Sequence, residues 1–161
     1  MKTLPDPEYF GYSIFCDDIR TEIGDKLTFI GIYDSGHMFV HGSFPITLPK
    51  FCIAVRYSQD RLNWAPAKRI LIFLPGDPDD KPSFEMQLVN PADEAKGYEQ
   101  TLKAMDNSNM DVDVFGLAAN IVLAPFTIKE TGAVKVRVER GDATLVKVGA
   151  LQIRAAPTSA T

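Results

Sequence analysis

The chain has 161 residues, 45% of them hydrophobic and 24% charged. That excludes a disordered tail, a collagen-like fibre and a bare coiled coil, and suits one domain with a real core. Lys plus Arg is 17 and Asp plus Glu is 21, for a net charge of −4, which argues against a dedicated nucleic-acid binder.

Residues 1–12 carry one Lys and no apolar run ahead of Pro5, Asp6, Pro7 and Glu8, which does not read as a secretory signal. The most apolar uncharged stretch, residues 114–128, contains Asn120 and Pro125 and is shorter than the roughly 20 apolar residues of a spanning helix. The expectation is a soluble cytoplasmic domain with no membrane segment over residues 1–154, and a frayed tail over 155–161.

Apolar runs rich in Val, Ile, Phe and Tyr recur about every ten residues between Gly, Pro, Asn or Asp, the signature of an all-β sandwich or barrel. In chain order they cover residues 12–16, 27–33, 38–40, 51–57, 70–74, 84–89, 120–126, 133–139 and 144–153. Several alternate. Phe51, Ile53, Val55 and Tyr57 share one face, as do Phe84, Met86 and Leu88. Val134, Val136 and Val138 oppose Lys135, Arg137 and Glu139, giving a strand with a core side and a wet side. Residues 74–82 hold three prolines and three acids and form a surface loop. Residues 91–107 place Ala95, Tyr98, Leu102 and Met105 at helical spacing, predicting one short crossover helix. Arg140-Gly141-Asp142 turns a final hairpin.

Cys16 and Cys52 each lie inside an apolar run and read as buried free thiols in a reducing compartment, with a disulfide between them the lesser alternative. His37 and His41 are four apart on an expected strand or turn. In a strand that spacing is about 13 Å, too far for one zinc ion to span easily. Two acidic groups have the residue types of a cation site or a general acid–base pair: Asp17, Asp18 and Glu22 after the first strand, and Asp77, Asp79 and Asp80 in the proline loop. Arg20 sits among the first group, so ion pairing at a strand end is the simpler expectation. In the second, Lys81 and Pro82 stand where a calcium loop needs a ligand and a glycine. Asn107, Asn109, Asp111 and Asp113 alternate like a solvated strand face. Phosphate-loop, dinucleotide and nucleophile-elbow motifs are missing from the sequence, and no cofactor is implied.

From Lys129 onward six basic residues face three acidic ones, so this part carries +3 and the rest −7. Lys135, Arg137 and, from the neighbouring strand, Lys147 are the candidate partner-binding residues, a face suited to an acidic partner.

The run from Ile14 to Glu22 (Cys16-Asp17-Asp18-Ile19-Arg20-Thr21-Glu22 within it), then Gly24-Asp25-Lys26-Leu27 and Ile30-Gly31-Ile32-Tyr33, resembles the opening of a bacterial family of small proteins of unknown function. That family shows a similar C-D-D-x-R-x-E, G-x-K-L and I-G-x-Y. Phe44-Pro45 and Leu48-Pro49-Lys50 extend the likeness across the first third of the chain. The strand and hairpin from Gly132 to Asp142 are similar to many immunoglobulin-like sandwiches, although no Trp lies between the cysteines. The resemblance implies an immunoglobulin-like β-sandwich and carries over no catalytic residue. The expected role is a non-enzymatic binding or structural module, meeting a protein partner or a second copy of itself, in a bacterial or phage-related assembly. The alternative is a metal-dependent hydrolase or calcium-binding module built on Asp17, Asp18, Glu22, Asp77, Asp79 and Asp80.

Overall fold

A computed structural model describes residues 9–60, 65–88 and 114–157. Every regular element among them is a strand, so the described fold is all-β. The strands are β1 (Tyr9–Cys16), β2 (Asp18–Glu22), β3 (Lys26–Ile30), β4 (His37–Val40), β5 (Ile46–Leu48) and β6 (Phe51–Asp60). They continue with β7 (Ala67–Phe73), β8 (Phe84–Gln87), β9 (Val114–Leu123), β10 (Phe126–Ile128), β11 (Gly132–Arg140) and β12 (Leu145–Ala155). The predicted helix and the Asn107–Asp113 alternation lie outside the described residues, and no helix among the described residues is long and apolar enough to cross a membrane. β12 takes in Ala155, and the Ala156 amide donates to the Val40 carbonyl at 2.8 Å. The end of the ordered strand thus falls just past the expected boundary.

Two larger sheets dominate, ordered β1-β6-β9 and β4-β12-β11-β7-β8, with two ribbons, β2-β3 and β10-β5. Period-two alternation explains how the larger sheets meet. Phe51, Ile53, Val55 and Tyr57 of β6 turn inward with Phe15 of β1 and Ala119 of β9, and bury against Val134, Val136 and Val138 of β11, Ile70 and Ile72 of β7, and Leu151 and Ile153 of β12. Both inner faces therefore share one core. All pairings are antiparallel except β12 with β4, whose register runs Gln152↔His37 to Ala155↔Val40.

β12 shifts register between Val136↔Gly149 and Arg137↔Lys147, so Val148 is the extra residue of a bulge. There β1, an edge strand of its sheet, packs closely on the part of β12 that precedes its pairing with β4, and the sequence permits it through two glycines. A Cβ at Gly11 would stand 2.4 Å from Val148 Cγ1, and one at Gly149 2.7 Å from Ser13 Cβ.

Three short strands are not marked by the apolar runs: β2, β5 and β10, the last of which shares only Phe126 with the run over 120–126. β2 is Asp-Ile-Arg-Thr-Glu, mostly exposed and paired only to β3, so no apolar stripe marks it. β5 is three residues between Pro45 and Pro49, which hide it.

Candidate functional site

The chain leaves β1 at Cys16 and enters β2 at Asp18, so Asp17 sits at a corner. Its amide faces the carbonyls of Ile30 at 3.0 Å and Gly31 at 3.3 Å, and its Oδ1 accepts the Tyr33 hydroxyl at 2.6 Å. Gly31 has φ 66°, and a Cβ there would stand 2.1 Å from Asp17 Oδ2, so only glycine lets the carboxylate lie against that backbone. Burial and the Asp17 hydrogen bond push the Tyr33 phenol well above its ordinary range. Asp18 is held by two cations, Arg20 Nε at 3.0 Å from Oδ2 and Lys50 Nζ on Oδ1. Lys50 first and Arg20 second keep its carboxyl below the usual carboxylate range. Arg20 thus pairs as its position among the acids suggests. Glu22 stands apart, exposed at the far end of β2 opposite Lys26.

Cys16 and Cys52 are direct cross-strand partners, both free and fully buried. Burial, with Cys52 and Asp17 nearby, pushes the Cys16 thiol up to about 11, and burial raises Cys52 as well. At pH 8 only about a thousandth of Cys16 is then thiolate, the reactive form. A thiol-specific disulfide reagent should therefore label the native protein slowly and the denatured protein at once. Rapid stoichiometric labelling under native conditions would contradict this.

The proline loop and the basic strand, read from the sequence as separate candidates, meet in space. Asp77 closes the loop at its base, Oδ2 accepting the amides of Leu74 at 2.7 Å and Ser83 at 3.0 Å. Burial pushes its carboxyl up, but those amides, the Ser83 hydroxyl and Lys129 outweigh it and leave it below the ordinary range. The loop lies over the outer face of the five-stranded sheet. There Asp79 Oδ1 takes Arg137 Nη2 at 2.8 Å and Lys135 Nζ at 3.2 Å, and Arg137 with Lys135 depresses the Asp79 carboxyl. The Arg137 guanidinium rests 4.6 Å above the ring of Phe73. The Arg137 side chain is consequently only 13% exposed. Lys135 and Arg137, on the outer side of their strand, thus clamp the chain's own loop. Lys147 stands opposite Arg137 in register, exposed, and lines a crevice of about 310 Å³ with Asp79, Lys135, Arg137 and Ala150. Asp80 is exposed and faces the neighbouring hollow beside Pro82 and Glu85.

Among the described residues no three His, Cys, Asp or Glu side chains stand where they could hold one metal ion. Asp17, Asp18, Asp77 and Asp79 instead serve a hydroxyl, ammonium and guanidinium groups, and backbone amides. His37 Nδ1 lies 2.8 Å from the Ser35 carbonyl and its ring stacks on Phe39.

A further exposed surface lies on the outer face of β1. The aromatic cluster Tyr9-Phe10-Gly11-Tyr12 resembles core sequence, yet Phe10 and Tyr12 point outward, 58% and 46% exposed, with ring centroids 6.0 Å apart. Their alternation with inward Phe15 was the available signal, and starting the strand at residue 12 concealed it.

No protein-family model, curated protein or solved structure matches this chain.

Proposed function

We propose that the chain is an immunoglobulin-like β-sandwich acting as a non-catalytic binding module for a protein partner, with the outer face of the β1-β6-β9 sheet as its contact surface. The exposed pair Phe10 and Tyr12 carries this reading. Gly116, Ala118 and Val122 of β9 are exposed on the same face, and β6 lies between with Arg56 and Ser58. Charge in these three strands is limited to Arg56 and Asp60, and Arg56 already donates to the Asn120 side chain at 3.2 Å and the Val55 carbonyl at 2.8 Å. Scattered exposed hydrophobics are ordinary, whereas adjacent ones on a weakly charged sheet face suit an interface, and exposed aromatics are the usual anchors. Two mainly antiparallel sheets around one core support the sandwich.

Phe10→Ser with Tyr12→Ser should move the melting temperature by no more than about 2 °C, as outward surface substitutions do. Recovery of the partner from extracts of the native host should fall at least about tenfold, as loss of a hot-spot pair predicts. Undiminished recovery would sink the proposed surface. Turnover in a hydrolase screen that disappears in Asp17→Asn would overturn the non-catalytic reading.

A further inference from the structure

We propose that the crevice between Lys135, Arg137 and Lys147 is a binding site for acidic side chains of a protein, and that Asp79 occupies it as a displaceable internal stand-in. The site lies on the outer face of the five-stranded sheet, and its case is independent of what docks on the Phe10 and Tyr12 face.

Three observations converge on a receptor for carboxylates. The cations are held in place: Arg137 is seated on Phe73 and only 13% exposed, and Lys135 and Lys147 flank it from the same strand and the next one. A planar guanidinium fixed in this way offers a carboxylate two parallel donors with little ordering cost. The charge is also unbalanced. Three cations and one anion line the crevice of about 310 Å³, and no ion pair to Lys147 occurs among the described residues. Finally, the internal anion is weakly committed. Asp79 is 73% exposed, and exposed ion pairs contribute little net stability. The base of the loop is tied by Asp77 through the amides of Leu74 and Ser83, and Arg137 Nη1 donates to the Asp79 backbone carbonyl at 3.3 Å, so the loop keeps its place without the Asp79 carboxylate. The Asp79 carboxylate can swing into solvent while its carbonyl stays on Arg137 Nη1, freeing Arg137 Nη2 and Lys135 Nζ beside a third cation, Lys147.

An acidic peptide segment with two closely spaced carboxylates matches this arrangement, one replacing Asp79 and one meeting Lys147. The anion that these cations already hold is a carboxylate, that of Asp79, which favours an acidic peptide over a polyphosphate chain.

The test is fluorescence anisotropy with a labelled peptide containing a run of Asp and Glu, at low salt, against wild type, Asp79→Asn, and Asp79→Asn combined with Lys147→Glu. Removing the internal competitor should tighten binding about tenfold in Asp79→Asn, and Lys147→Glu should reverse the gain. Affinity should fall as salt rises, and a matched Asn/Gln peptide should not bind. Retained melting temperatures establish that the variants are folded. Lys147→Glu in the wild-type background, which touches no existing ion pair, supplies a second reading. It should weaken whatever binding wild type shows. Equal affinity of wild type and Asp79→Asn, equal binding of the neutral peptide, or tighter binding of an oligonucleotide or inorganic phosphate than of the acidic peptide would overturn the proposal.

Discussion

Phe51→Ala is expected to destabilise the domain by about 3–5 kcal/mol, the range for deleting a fully buried aromatic ring. Phe51 is wholly inaccessible and opens β6, the central strand of its sheet. Its ring stacks on Phe126 of β10 at 4.6 Å between centroids and lies 6.2 Å from both Phe15 of β1 and Tyr33 beyond β3. One side chain therefore joins the three-stranded sheet, the β10-β5 ribbon and the segment following the β2-β3 ribbon. Truncation leaves a cavity that these separate elements cannot close by moving together. In a domain of this length the melting temperature should drop by roughly 10 °C. Urea denaturation gives the free energy directly, and a loss under about 1 kcal/mol would mean that the ring is not the shared anchor described.

The second large effect is expected at the close approach of β1 and β12. Gly149→Ala places a methyl group where Ser13 Cβ would lie at 2.7 Å, Ser13 Oγ at 2.9 Å and the Ser13 amide nitrogen at 3.4 Å. Ser13 cannot swing clear, because its Cβ is fixed to a backbone that the β6 pairing holds in register with Val55. Relief requires the two strand edges to separate, at a cost of about 1–3 kcal/mol typical of overpacking. Gly116→Ala is the control: nothing lies within 4 Å of its added Cβ, and only the strand's mild preference against glycine changes. A melting temperature lowered by Gly149→Ala but not by Gly116→Ala supports the close approach. Equal behaviour of the two variants would contradict it.

How much of this was legible in the sequence depends on the range of the interaction. Val134, Val136 and Val138 announce a half-buried strand because period-two alternation is local, and the valines are indeed buried beside Ile70, Ile72 and Leu151. The same alternation placed Phe51, Ile53 and Val55 in the core. Strands without an apolar stripe were invisible: β2 is stabilised by pairing with β3 and by the corner at Asp17, neither of which composition records. The parallel pairing of β4 with β12 joins residues more than a hundred positions apart, and hydrophobic pattern alone does not choose partners.

The candidate site illustrates the same limit. Lys135 and Arg137 were readable as outward cations and Asp79 as an outward acid, but 56 and 58 residues separate them from it. Their mutual ion pairs follow from where the loop lands on the sheet. Phe10 and Tyr12 failed in the opposite direction, since hydrophobic residues in a strand are ordinarily assigned to the interior. Their exposure is set by β1 occupying the edge of its sheet with Gly11 and Ser13 turned toward β12.

The contact surface we propose for a protein partner is the outer face of β1-β6-β9. Hydroxyl-radical footprinting of the free domain and of its complex with the partner recovered from the native host tests this at the side chains concerned. The rings of Phe10 and Tyr12, being exposed, should oxidise readily in the free domain and be protected in the complex, with buried Phe51 and Phe126 unreactive in both. Unchanged oxidation of Phe10 and Tyr12 in a complex that protects some other surface would contradict the claim.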